Sequence, residues 1–110
     1  MSMPVDSRGQ IVVVAPGVSR LDAQKAGSLR SAMDEALKEG SRLVLDLEGV
    51  TALDSTCLGV LVGTLRRLPA DGEMRLCGLS ENVSRLLHMT RLDRALKVYP
   101  TCREAIAADC

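Results

Sequence analysis

The sequence predicts an α/β domain, a mixed, mostly parallel sheet covered by about four helices. Three observations carry this. Short apolar runs alternate with segments of helical period along the chain. Gly, Pro, Asp and Ser punctuate the boundaries between them. The 110 residues suit one compact domain and leave no room for two.

Each element has its own reason. Met3 to Ser7 is a short candidate partner strand. Ile11-Val12-Val13-Val14 is a β-branched run between Gly9 and the Pro16-Gly17 turn, so it reads as a strand. Asp22 offers an N-cap, and Ala23 to Glu39 reads as a helix with the stripe Ala26, Leu29, Met33, Ala36 and Leu37. Asp34 and Lys38 form an i,i+4 pair on its wet side, and Gly40 suits the C′ position. Leu43 to Leu47 is nearly continuous and apolar, as a strand covered on both faces should be. Thr56 to Leu68 reads as a helix with Leu58, Leu61, Val62, Leu65 and Leu68 inward, stopped by Pro69 and Asp71-Gly72. Met74 to Cys77 is a strand. Ser80 caps a helix through about His88, and Leu96 to Tyr99 is a last strand. Thr101-Cys102-Arg103-Glu104 has the form of a capping box for a final helix.

Composition narrows the function. Lys plus Arg equals Asp plus Glu at 14 each, so the chain lacks the basic excess of a phosphate-backbone binder. Tyr99 is the only aromatic, which leaves no platform for stacking bases. The longest apolar run, Leu58 to Leu65, is too short to span a bilayer, and the N-terminus does not read as a signal peptide. A cytoplasmic protein with no nucleic-acid partner and no direct membrane contact is expected. Cys57, Cys77, Cys102 and Cys110 form no C-x-x-C pair, and His88 is the single histidine. Reduced thiols and no metal site are expected, with Cys77 buried in its strand and Cys110 loose at the terminus.

In such sheets functional sites lie at the carboxyl ends of strands. The strand ending near Leu47 leads to Asp54-Ser55-Thr56-Cys57. As an enzyme centre this stretch lacks a base other than His88, and the chain carries no phosphate-binding glycine loop. A nucleophilic Cys57, activated by the helix dipole, would depend on the same histidine. No intrinsic catalysis is expected. The bland reading is a helix cap by Asp54 or Ser55. Two features exceed it. Three oxygen-bearing side chains sit where one cap suffices. The helix face of Thr56, Gly59, Val60, Gly63 and Thr64 is bare of large polar groups, as a docking surface or a close internal approach would be. A hydroxyl at a helix N-terminus is also good ground for a phosphate.

The stretch LVLDLEGVTALDSTCLGVLVGTLRRL resembles the central segment of STAS domains, specifically the anti-sigma factor antagonists, whose pattern D-S-S/T-G-L-G opens a helix after an apolar strand. RLDAQKAGSLRSAM resembles the family's first helix, and LCGLSENVSRLLHMTRLDRALKVYPTCREAIA its closing strand, helix, strand and helix. The resemblance implies a STAS fold over residues 9–107, with 1–8 a tail or short edge strand and 108–110 a C-terminal tail. It implies a bacterial partner-switching protein in transcription regulation. The unphosphorylated form would bind an anti-sigma factor that is also a serine kinase. That kinase would bring the ATP and magnesium, and a metal-dependent serine phosphatase would reset the system. The acceptor would be Ser55, with Thr56 second, Asp54 positioning the hydroxyl, and Asp22, Thr56, Cys57, Gly59, Val60 and Gly63 meeting the partner. Other members of the superfamily imply an alternative, a never-phosphorylated subunit of a lipid-transport ATPase or stress-signalling assembly. The chain departs from the pattern twice. Cys57 replaces a Gly, and Arg91 stands where the family has the Gly of T-G-L. In the left-handed region a non-Gly residue there costs about 1–2 kcal/mol.

Overall fold

A computed structural model describes residues 3–8 and 11–108. Gly9, read as the boundary of the Ile11–Val14 strand, and Cys110, expected loose at the terminus, lie outside the described residues. Five strands form the main sheet in the order β1-β2-β4-β6-β7: β1 Val5–Arg8, β2 Ile11–Val14, β4 Arg42–Asp46, β6 Glu73–Cys77 and β7 Lys97–Tyr99. β1 pairs antiparallel with β2 and every other pair is parallel. Four helices, α1 Ala26–Glu39, α2 Ser55–Arg67, α3 Glu81–Met89 and α4 Cys102–Ala107, complete the expected α/β architecture. No helix among the described residues is long and apolar enough to cross a membrane.

Strand alternation divides the core. Val12, Val14, Leu43, Leu45, Met74 and Leu76 face the large cluster, together with Leu29 and Met33 of α1, Leu61 of α2 and Val83 and Leu87 of α3. Met3 joins this cluster from the N-terminal segment. The opposite face holds Val44, Cys77 and Ala105 as its buried cluster, flanked by Ile11, Val13, Tyr99, Cys102 and Ile106. Leu43, Val44 and Leu45 are all buried, so β4 is covered on both faces as its continuous apolar run requires.

Several local expectations are corrected. Asp22 does not cap α1: its carboxylate accepts from Gln24 N at 3.2 Å, and the helix proper begins at Ala26 behind Lys25, which makes no side-chain cap. The acceptor is used by a local turn, so the chain enters the helix later. Gly40 is extended rather than left-handed, so any residue suits that backbone. Asp34 ion-pairs with Arg67 across the α1/α2 contact. Cys77 and Cys102 form a disulfide, not two reduced thiols. The end of β6 and the start of α4 meet in space at a Cα–Cα distance of 5.1 Å although 25 positions separate them in sequence.

Ser80 caps its helix as expected, and of the Thr101–Glu104 capping box the structure shows the Thr101 half. Ser80 Oγ accepts from Val83 N at 3.2 Å, and Thr101 Oγ1 accepts from Glu104 N at 3.2 Å. Arg91 is left-handed, with φ 61°, and starts a 3₁₀ turn over Leu92–Arg94.

Candidate functional site

A second, two-stranded sheet builds the site, and sequence reasoning missed it. β3 Arg20–Leu21 pairs parallel with β5 Ala52–Leu53. Strands of two residues carry no period to detect. The usable signal was Leu21 and Leu53, each the apolar residue directly before an aspartate, both of which are buried. Thr51 N donates to Ser19 O at 2.8 Å and Asp54 N donates to Leu21 O at 3.0 Å. These bonds tie the segment before α1 to the segment before α2. Upstream, Glu48 N donates to Asp46 Oδ1 at 2.9 Å, and Gly49 turns the chain at φ 87°, a conformation that favours glycine.

Asp54 is extended and its carboxylate accepts from Cys57 N at 3.0 Å. Asp54 is therefore the N-cap of α2, and Ser55 is the first helical residue. Ser55 and Thr56 are exposed. No hydrogen bond holds the Ser55 hydroxyl among the described residues, because the carboxylate beside it does the capping. The first turn of α2 contains no acidic residue.

Cys57 points inward. It is fully buried, and its Sγ donates to Asp22 O at 3.3 Å, a further tie between the two loops. Burial raises its pKa to about 11, assisted by the Asp54 and Asp22 carboxylates and opposed by Lys25. The thiolate that a nucleophilic Cys57 would need is disfavoured here: desolvation outweighs the helix end. His88 bonds Asp93, Nδ1 to Oδ2 at 3.0 Å, on the exposed side of α3.

The bare face of α2 is narrower than the sequence suggested. Val60 and Thr64 are buried, as is Cys57, so none of the three offers a side chain to a partner. α2 lies against both the core and α1, which widens its buried arc beyond one stripe. Thr64 is accommodated by donating Oγ1 to Val60 O at 2.8 Å. Ser55, Thr56 and Gly59 are exposed, and Gly63 is half-exposed. Ser55, Gly59 and Gly63 form one i,i+4 ridge. A Cβ on either glycine would meet nothing within 4 Å, so neither glycine is there for internal packing. Asp22, half-exposed, stands at the rim. Clefts of about 690 and 620 Å³ lie elsewhere, along α3/β7 and along α1, and no α2 residue lines them. Asp46, Cys77 and Cys102 bring ligand-type atoms within 4.8 Å of one another, but the disulfide uses both sulfurs.

Comparison with known proteins supplies the context. The STAS domain model matches residues 2–105. A Thermotoga maritima protein provisionally named an anti-sigma factor antagonist is 39% identical over 75 residues, 66% of each chain. The anti-sigma F factor antagonist of Paenibacillus polymyxa is 33% identical over 95 residues, 84% of this chain and 80% of that one. Among solved structures, an anti-sigma-factor antagonist (STAS) domain protein from Planctomyces limnophilus superposes with a TM-score of 0.87 at 26% identity, covering 96% of each chain. The Bacillus cell fate determinant SpoIIAA in its phosphorylated form has a TM-score of 0.73 at 20% identity over 96% of each chain, a likeness of fold alone.

Proposed function

Because the chain belongs to the STAS domain family, among the anti-sigma factor antagonists, we propose that it is a partner-switching antagonist whose switch is Ser55. The unmodified protein binds an anti-sigma factor that is also a serine kinase, through the ridge Ser55-Gly59-Gly63 with Thr56 beside it and Asp22 at the rim. The kinase holds ATP and magnesium. The Ser55 oxygen attacks the γ-phosphorus, the bond to the β-phosphate oxygen breaks, and the hydroxyl proton leaves to a base of the kinase. A metal-dependent serine phosphatase hydrolyses the ester and restores the hydroxyl. In this scheme Ser55 is a substrate and not a nucleophilic catalyst.

The observation that carries the reading is the division of labour at Asp54 and Ser55. The carboxylate takes the amide of Cys57 at 3.0 Å and the exposed hydroxyl is left over. A phosphate there adds about −1.5 to −2 charges. It would stand at the positive end of α2 yet within a weakly polar ridge beside Asp54, where it would oppose docking by charge and by desolvation. Cys57 and Val60 drop out of the docking surface because both are buried.

The test is intact mass followed by fragment mapping of the protein purified from its native cells. One phosphate on Ser55 is expected, and phosphate on Thr56 instead would keep the switch and move its residue. No phosphate under any growth condition would overturn the reading in favour of a permanent subunit.

A further inference from the structure

We propose that the Cys77–Cys102 disulfide is a redox-sensitive clasp that keeps α4 on the sheet. The two faces of the sheet are covered unequally. α1, α2 and α3 pack on one, whereas the buried cluster of the other contains only the α4 residue Ala105 besides Val44 and Cys77. α4 is six residues long, far short of what holds a helix in isolation. Besides its Thr101 cap and the packing of Ala105 and Ile106 on the sheet, a hydrogen bond and a disulfide fix it. Arg75, buried on the same face, donates Nη1 to Ala105 O at 2.6 Å. The disulfide ties the first helical residue, Cys102, to the end of β6 across 25 positions.

The two sulfurs differ in access. Cys77 is fully buried and Cys102 half-buried. A dithiol reductant is therefore expected to attack Cys102 Sγ. Its thiolate forms a mixed disulfide with Cys102, and Cys77 leaves as the thiolate and takes up a proton. The second thiol of the reductant then closes the reductant's own disulfide and releases Cys102 as a thiol. The sum is one protein disulfide and one dithiol converted to two protein thiols and one oxidised reductant. Without the covalent tie the short helix frays from the sheet, and Val13, Val44 and Tyr99 lose their cover. α2 packs on the opposite face and is not loosened.

The experiment is amide hydrogen exchange on the full chain, oxidised and after treatment with dithiothreitol, with Cys102→Ser measured alongside. Amides of Arg103 to Ala107 should exchange about tenfold or more faster in the reduced protein, with α2 unchanged. Cys102→Ser should match the reduced protein without reductant. Equal exchange in α4 before and after reduction would overturn the clasp, as would Cys102→Ser behaving like the oxidised form. Rapid alkylation of the native protein before digestion is the second measurement. Cys77 and Cys102 linked in a fraction of the molecules, rising under oxidant, is expected. Both fully alkylated under every condition would overturn it.

Discussion

α2 and α3 begin in the same way and end up with different surfaces. Each follows a strand, β5 before α2 and β6 before α3, and each needs an acceptor for the amide three residues past its cap. At α3 the acceptor is a hydroxyl, Ser80 Oγ from Val83 N at 3.2 Å. At α2 it is a carboxylate, Asp54 Oδ1 from Cys57 N at 3.0 Å. The residues whose amides are capped, Val83 and Cys57, are both buried. What differs is what remains outside. α3 opens with Glu81, an acid in its first turn. α2 opens with Ser55, exposed and without acidic residues in its first turn. One serine is consumed by the fold and the other keeps an exposed hydroxyl that caps nothing. A serine before a helix is thus uninformative until the atom that caps the helix is identified.

The sharpest way to break this comparison is to exchange the duties of the two serines. Ser55→Ala should abolish phosphate incorporation by the partner kinase, leave partner binding intact and barely move stability. Ser80→Ala should leave phosphorylation untouched and destabilise the domain by about 1 kcal/mol, the usual effect of a lost hydroxyl cap. Radiolabel transfer and thermal melting read the two effects. Phosphate on the Ser55→Ala protein would show that the acceptor is elsewhere. An acidic replacement extends the test. Ser55→Glu should weaken kinase binding by about tenfold or more, because it supplies part of the phosphate's charge. Ser80→Asp exchanges one good cap for another and should alter neither binding nor stability much. Kinase affinity unchanged in Ser55→Glu would exclude a charge switch.

Cys57 and Val83 occupy equivalent places, but only Cys57 titrates. Its thiol is raised to about 11 from an ordinary 9.0, first by burial and then by Asp54 and Asp22. Above pH 9 the unfolded chain releases this proton while the folded chain keeps it. Rising pH therefore favours unfolding. The contribution is whole below about 9, fades from there, and is gone above about 11. The loss is of order 2 kcal/mol. Cys57→Ala should flatten this part of the stability profile at denaturant midpoint, although it also loses the thiol's bond to Asp22 O. A stability profile from pH 8 to 11 that is the same in both proteins would mean that the thiol is not held protonated by the fold.

Much of the fold was legible because alternation of period is written into single elements. The Leu43–Leu47 run and the Ser80 and Thr101 caps needed only local spacing. The site was legible by halves. That Asp54 or Ser55 caps the helix follows from residue type and position, and the bond from Cys57 N to Asp54 Oδ1 decides between them. The small β3/β5 sheet that holds them does not, since pairing of Leu21 with Leu53 is a tertiary fact without a local pattern. The width of the buried arc on α2 was also hidden. A single stripe accounts for packing on a sheet, but α2 meets α1 as well, and Val60 and Thr64 are buried in consequence. The disulfide was invisible for the same reason. Two cysteines 25 positions apart carry no pairing signal until β6 and α4 are placed side by side.

The glycines of α2 give the smallest effect and the cleanest separation of fold from function. α3 has no glycine, and α2 carries Gly59 and Gly63 in its interior. Each disfavours the helix by about 0.5–1 kcal/mol relative to alanine. A Cβ at either position would meet nothing within 4 Å, so the fold gains no close contact in return. Gly59→Ala should therefore stabilise the domain by about 0.5–1 kcal/mol in a denaturant titration, and the same holds for Gly63→Ala. If the ridge meets the kinase, both variants should be more stable yet bind less tightly, and Gly63→Arg should lose binding while keeping the native far-ultraviolet spectrum. Higher stability with unimpaired binding in all three would detach the ridge from the interface and confine the partner surface to the cap and its loop. Lower stability in the alanine variants would instead show that the helix needs those glycines for a reason of its own.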